Sequence, residues 1–418
     1  MERFERQRRI AGWNQPRLEE ACVAVCGRDW LGTFTVWALA ALGIGDLIWL
    51  EPPCQASAAL STWFLADPCP FSGCTITAYP FQVEYGPELP WALGQRRIDV
   101  LACCTEDPGL RTVCRAFAHE HDIPFVAGTT AQGGWYGTEM PPHHAPPGQE
   151  PIAAMALGAL LADAVRETLC PLAGGLLPPE SPLGLHLPEA PHPSTAVLVG
   201  IGGIGVYVAT LAALLGYGLH IVDSDHVEAT NLNRQGLFTL HDAQQRAAKA
   251  VAATAALRWL FPQARVSAEV CRVGADFRAT LAALQPSVLL SAVDNAPTRL
   301  LLQELGQALA IPVVQGGTDV FAADCYTQEP SDSLLDDQMH GAMSEAAADE
   351  SSRGPHGGCA ADPSYIVPGM LAGALMAYRM VQVCARSRGL LPLRWRSGSL
   401  PVEQRKTIDG FDFTDVPV

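Results

Sequence analysis

The strongest constraint on the fold is that one pattern is written twice. "VAVCGRDWLGTFTVWALAALGIGDLIWLE" begins at Val23 and "AVLVGIGGIGVYVATLAALLGYGLHIVDSD" at Ala196. Setting Gly27 on Gly200 brings Gly32 onto Gly205, Gly43 onto Gly216 and Gly45 onto Gly218 without a gap. Farther along, "DVLACCTEDPGLRTVCRAFAHEHDIPFVAGTT" matches "SVLLSAVDNAPTRLLLQELGQALAIPVVQGGT", with Arg111 and Ile123 as far apart as Arg299 and Ile311. Each copy reads as an apolar strand, a glycine turn, an apolar helix and a second strand, then later strands with a helix between them. That is the pattern of a doubly wound parallel α/β sheet. Both copies close on an apolar helical run, "IAAMALGALLADAVRETL" and "YIVPGMLAGALMAYRMVQVCA". Between them, residues 169–194 hold seven prolines and little periodicity, which predicts an extended, partly stiff linker.

Composition narrows the class of protein. With 418 residues, 49% of them hydrophobic and 17% charged, the chain has enough apolar side chains for two or three packed domains. A net charge of -16 argues against broad binding to nucleic acid or an anionic membrane, because both need clustered cations. The opening "MERFERQRRIAGWNQPRLEE" has no apolar core of a signal peptide, and no apolar run reads as a membrane span, so a cytoplasmic location is expected. Thirteen cysteines without framework spacing read as mostly reduced core residues. "CPFSGC" lacks a second pair at a metal-ligand spacing, so no structural zinc is expected.

The two copies are chemically unequal. Where the second has "GIGGIG", the first has "GRDWLG", setting Arg28, Asp29 and Trp30 where a phosphate needs close approach to backbone. The ungapped match to Asp223 is Leu50, beside Glu51, and the first copy lacks any counterpart of "DHVEATNLNRQGLF". In the second copy a glycine turn follows a strand, opens a helix and is followed by an acid at the end of the next strand. This is a nucleotide-binding context in which NAD and ATP are equally served.

The loop beyond Asp223 separates the two. Asn231, Asn233, Arg234 and Gln235 form a polar and cationic set with no evident use in hydride transfer. Attack on an α-phosphate does need fixed donors for the charge that develops on the phosphate and the departing pyrophosphate. Lys249, one of two lysines in the chain with Lys406, lies on the following helix pattern. Asp294, in "SAVDN" after another strand, is placed to hold magnesium over phosphates.

"GIGGIG", "DSDHVEATNLNRQ", "AVDN" with Arg299, and "IPVVQGG" together resemble the ubiquitin-activating-enzyme superfamily, which includes the ThiF, MoeB and microcin-adenylating enzymes. The resemblance implies two tandem Rossmann-like, ThiF-type adenylation domains that bind ATP and adenylate the C-terminal carboxylate of a ubiquitin-like protein, sulfur carrier or peptide. It implies a nucleotide site of Gly200, Gly202, Gly203, Gly205, Asp223, Asp225, Asn231 and Gln235. Within it Asp223 binds ribose, Asn231 and Arg234 contact phosphates, Lys249 stabilises the reacting phosphate and Asp294 handles magnesium. In the family the lysine usually stands a residue or two nearer the arginine, a role that Arg246 could fill.

"RFERQRRIAGW" is similar to the family's opening segment, whose second arginine, here Arg6, reaches across a dimer interface into the partner's ATP site. The first copy has that arginine and a degraded nucleotide loop; the second has the loop and no arginine segment. The resemblance therefore implies an intramolecular pseudodimer: an inactive domain over 1–168, a linker over 169–194, and an active domain over 195–418 with a catalytic-cysteine loop at about 325–364.

Cys359, in a long polar, acidic loop before "YIVPGMLAGALMA", is the expected acyl acceptor, ahead of Cys325 at a strand end. Two CxxC pairs usual in MoeB-like members are absent, and the tail is too short for a ubiquitin-fold recruitment domain. The leading expectation is an activating enzyme that forms a thioester on Cys359, working with a ubiquitin-like protein that ends in glycine and with a ubiquitin-conjugating-like enzyme. Sulfur-carrier adenylation, peptide adenylation of the microcin type, a scaffold with a vestigial site and an NAD enzyme are the competing readings.

Overall fold

The computed structural model describes residues 2–27, 29–50, 58–65, 73–79, 97–105, 107–130, 135–137, 151–172, 181–182, 185, 194–331, 363–387, 390, 393–396, 402–405 and 414–417. Two short helices, α1 (Glu5–Arg8) and α2 (Gln15–Glu19), precede the first sheet. β1 (Cys22–Cys26), α3 (Trp30–Leu42) and β2 (Asp46–Leu50) follow the apolar pattern of the first copy, and every residue of α3 is buried. Next come α4 (Ala58–Phe64), β3 (Thr75–Tyr79), β4 (Val100–Cys103), α5 (Pro108–Glu120), β5 (Phe125–Thr129), β6 (Trp135–Gly137), α6 (Pro151–Leu169) and β7 (Ser181–Pro182).

The second copy repeats the order with β8 (Thr195–Val199), α7 (Gly205–Leu214) and β9 (Gly218–Val222). It continues through α8 (Leu240–Gln244), α9 (Lys249–Leu260), β10 (Val266–Glu269), α10 (Phe277–Leu284), β11 (Val288–Ser291), α11 (Ala296–Leu309), β12 (Val313–Asp319) and β13 (Ala322–Gln328). The last elements are α12 (Ile366–Cys384), β14 (Leu393–Arg396), β15 (Val402–Arg405) and β16 (Thr414–Pro417).

Among the described residues the first sheet runs β3-β2-β1-β4-β5-β6-β7 and the second β10-β9-β8-β11-β12, then β13 to β16. In both, the first five strands are parallel and the next is antiparallel. Strand order reverses between β1 and β4 and again between β8 and β11, the places where such sheets open a crevice for ligands. β7 lies inside the proline-rich stretch read as a linker: Ser181 and Pro182 pair with β6. Proline is tolerated there because β7 ends the sheet's strand order and needs no donor on its outer side.

Register refines the repeat. Gly27 N–H donates to the Leu50 carbonyl, and Gly200 N–H to the Val222 carbonyl. Leu50 therefore stands opposite Val222, and the position matching Asp223 is Glu51, which lies outside the described residues. The ungapped alignment is one residue out past the helix, because the first copy carries an extra residue between β1 and β2.

The closing helices meet. α6 packs on α3 and α12, and α12 also packs on α7, β12 and β13. α12 is long and apolar enough by composition to cross a membrane, against the expectation that no apolar run reads as a span. Its most apolar window is 89% buried inside the fold. Between α6 and α12 lies a buried polar knot. Arg166, 1% exposed, donates to Asp163 at 2.7 Å and pairs with Glu167, while the Tyr365 hydroxyl donates to Asp163 at 3.1 Å. Burial and the neighbouring carboxylates push the Tyr365 hydroxyl well above the usual phenol range.

Candidate nucleotide site

The site gathers at the C-terminal ends of β8, β9 and β11. Gly200 takes φ +89, and a Cβ there would lie 2.7 Å from the Ala292 carbonyl oxygen; one on Gly205 would lie 2.1 Å from the Gly200 carbonyl oxygen. These two glycines are required by backbone packing, and Gly27 and Gly32 meet the same crowding in the first copy. Gly202 and Gly203 differ. A Cβ on Gly202 would come no closer than 3.9 Å to anything, and one on Gly203 would rest 3.5 Å from Arg234. Their missing side chains leave a space along the turn that protein packing does not demand.

The helix that follows is uncapped: Ile204, at the cap of α7, makes no side-chain bond to the first turn. In the first copy Asp29 Oδ1 accepts from the Leu31 and Gly32 amides and closes the start of α3. A carboxylate of the chain thus sits where the second copy leaves backbone donors open to an anion. Asp29 in place of Gly202 explains the inequality of the two turns more fully than bulk alone.

Asp223 follows β9. Its Oδ2 accepts from Ile201 N–H and its Oδ1 from Asp225 N–H, both at 2.7 Å. Burial lifts its carboxyl above the ordinary carboxylate range, against the charge of Lys249 and these two amides. A carboxylate has about four acceptor positions, so two remain for a ligand. Lys249 begins α9, is 8% exposed, and donates from Nζ to Asp225 Oδ2 at 3.0 Å. Arg246 stands nearby in sequence with φ +48 and an exposed side chain.

Asn231 Oδ1 accepts from Glu228 N–H at 3.1 Å and closes a capping box over a 3-10 turn, Ala229–Asn231. Its oxygen is thus held within the loop. Arg234 Nη1 donates to the Thr230 carbonyl and to Asn233 Oδ1. Gln235, 3% exposed, leaves its Oε1 without a hydrogen-bond partner, while its Nε2 is the atom nearest a Cβ on Gly202, at 3.9 Å. A buried unsatisfied polar atom calls for a partner, and the other end of this amide borders the open space of the turn.

A like charge acts on Arg234. Burial first, and Arg6 next, push the Arg234 guanidinium down to about 9, against Asp294 and Glu228, which favour its charge. Arg6 comes from α1, before the first sheet, so the site draws on chain segments more than two hundred residues apart. Asp294 follows β11 and is exposed; the next residue, Asn295, caps α11 through Thr298 N–H. Arg299 ties the loop after β11 to β12 by donating to the Val293 and Gly316 carbonyls, and Arg111 makes the equivalent bond to Thr105 in the first copy. This repeated arginine is scaffold in both halves.

Among the described residues no three His, Cys, Asp or Glu side chains group as a metal site. Magnesium is commonly held by one or two carboxylates plus phosphate oxygens, so the lone Asp294 carboxylate fits that ion in company with a nucleotide. Cys325 lies within β13 and is 0% exposed, its thiol pushed up to about 12 by burial. Residues 325–328, the start of the expected cysteine loop, are therefore strand, and Cys359 lies outside the described residues. Asn233 and Tyr207 bond to Arg234, with Gln7 behind Asn233 and Trp37 behind Tyr207, and of these the sequence singled out only Asn233, as one of a polar set.

Residues 189–386 match the ThiF family model. The chain is 36% identical over 125 residues to the sulfur carrier protein adenylyltransferase of Thermus thermophilus, covering 29% of this chain and 45% of that protein. It is 35% identical over 138 residues to the SAMP-activating enzyme E1 of Haloferax volcanii, covering 33% and 50%. The chain thus spans half or less of these relatives. The crystal structure of E. coli MccB with AMPCPP and MccA aligns at 16% identity and a TM-score of 0.40, over 54% of this chain and 63% of that one. Residues 189–386, which carry the glycine turn, Asp223, Arg234 and Asp294, thus form a ThiF family domain.

Proposed function

We propose that the protein is an ATP-dependent activating enzyme that adenylates the C-terminal glycine of a ubiquitin-like protein and then holds it as a thioester on Cys359. The observation that carries the reading is an uncapped, glycine-walled turn beside Arg234, whose partner Asn233 bonds to Gln7, the residue after Arg6. Like charges brought together in a partly buried site are at their most favourable with an anion between them.

Gly202 and Gly203 admit phosphates to the start of α7, and Asp223 takes the ribose hydroxyls. A carboxylate oxygen of the partner attacks the α-phosphate, the bond to the β-phosphate oxygen breaks, and pyrophosphate leaves with that electron pair. Arg234 and Arg6 meet the charge on the departing group. Lys249, now paired with Asp225, turns toward the reacting phosphate when ATP enters. Asp294 would hold magnesium, which supplies further charge neutralisation. The Cys359 thiol gives up its proton, attacks the acyl carbon and expels AMP.

In this reading the two halves form a pseudodimer over 1–168 and 195–418, the first supplying Arg6 and no nucleotide site of its own. Incubation with ATP, magnesium and a glycine-ending ubiquitin-like protein, followed by a non-reducing gel, should show a reductant-sensitive adduct in wild type and none in Cys359→Ala. Pyrophosphate release without an adduct would replace the thioester with sulfur-carrier activation, the activity named for the Thermus thermophilus relative. Release of no pyrophosphate with any such partner would sink adenylation itself.

A further inference from the structure

We infer that Asn233 is a positioning residue through which the first half sets the phosphate-facing arginines; the inference rests on the nucleotide reading of the site. Asn233 is 0% exposed. Its Oδ1 accepts from Arg234 Nη1 at 3.0 Å, and its Nδ2 donates to Gln7 Oε1 at 3.2 Å and to the Ser364 carbonyl at 3.0 Å. One planar amide thus joins the phosphate loop, the N-terminal helix and the start of α12.

Gln7 is itself anchored. It is fully buried, and its Nε2 donates to the Leu42 carbonyl at the end of α3 and to Gln15 Oε1. A continuous chain of bonds therefore runs from α3 through Gln7 and Asn233 to Arg234. Arg6 precedes Gln7 in α1, so the bond that holds Gln7 also sets where Arg6 starts toward the site.

A second brace acts on the same loop. A Cβ on Gly236 would lie 2.0 Å from Trp37 Nε1, so the α3 tryptophan presses directly on loop backbone. The Trp37 ring also packs 5.5 Å from that of Tyr207, whose hydroxyl donates to the Arg234 carbonyl at 2.8 Å. Holding a guanidinium within tenths of an ångström requires supporting groups that are themselves locked, and here the supports come from the half without the nucleotide loop.

The test measures ATP and AMP affinity by competition against a fluorescent adenine nucleotide, extended to millimolar ligand, for full-length wild type, Asn233→Ala, Gln7→Ala and the double variant. Because the arginines meet the outer phosphates, Asn233→Ala should weaken ATP binding roughly ten-fold, the scale of one hydrogen bond to a charged group, and AMP binding far less. The double variant should lose little beyond Asn233→Ala alone, as expected of residues acting in series. Equal losses for ATP and AMP, or ATP affinity equal to wild type, would overturn the assignment. Should Asn233→Ala not fold, the same ATP-against-AMP contrast in Gln7→Ala decides it. A wild type that binds no ATP would instead bring down the nucleotide reading and this inference together.

Discussion

Gly202 and Gly205 stand three residues apart and are glycine for opposite reasons. Gly205 is backbone packing: its Cβ would strike the Gly200 carbonyl at 2.1 Å. Gly202 borders open space, with its nearest neighbour at 3.9 Å. Gly205→Ala should therefore destabilise the fold by about 1–3 kcal/mol in chemical denaturation, the range for forced overpacking. Gly202→Ala should stay within about 0.5 kcal/mol of wild type and yet lose ATP binding. Equal stability losses in the two variants would show that Gly202 is only a structural glycine. The repeat already separated these roles in part, since Gly205 has its counterpart in Gly32 and Gly202 has Asp29. Cys325 teaches the reverse lesson: its neighbours in sequence suit a strand end, but only packing shows it fully buried with its thiol pushed up to about 12. A thiol is a nucleophile only as thiolate, which removes Cys325 from the chemistry.

The same helix start is finished differently in the two halves. α3 is closed by Asp29, and α7 is left without a side-chain cap. Replacing Asp29 with alanine should cost about 1 kcal/mol, as for other lost caps, read as a lower urea midpoint at unchanged slope. ATP stoichiometry should stay at one per chain, because the first half still lacks the loop that carries Arg234; a second equivalent would refute the assignment of the first turn as closed. An Asp directly before an apolar helix is a recognisable cap signal, so this feature is legible in the sequence. The one-residue slip that sets Glu51 opposite Asp223 was not legible. Gly45 and Gly218 match in identity, and only strand register shows that β2 and β9 pair one residue apart from that alignment.

The halves are joined through their closing helices as well as through the phosphate loop. The knot of Arg166, Asp163, Glu167 and Tyr365 spans α6 and the start of α12. Arg166→Met should cost about 3–5 kcal/mol, the range for stranding buried carboxylates, and should lower the thermal midpoint of the molecule. A change below about 1 kcal/mol would mean that water reaches the knot and screens it. From the sequence alone came the α/β class, the duplication, the glycine turns, the loop in which Asp223 and Arg234 are recognisable, and Asp294 after a later strand. All of these are local, since strand and helix periods, caps and turns are written within a few residues of one another. Tertiary structure alone decided what each polar group touches. Asn233 meets Gln7 across 226 positions and Tyr365 meets Asp163 across 202, and no period in the chain encodes a contact that arises only when the helices of the two halves pack against each other.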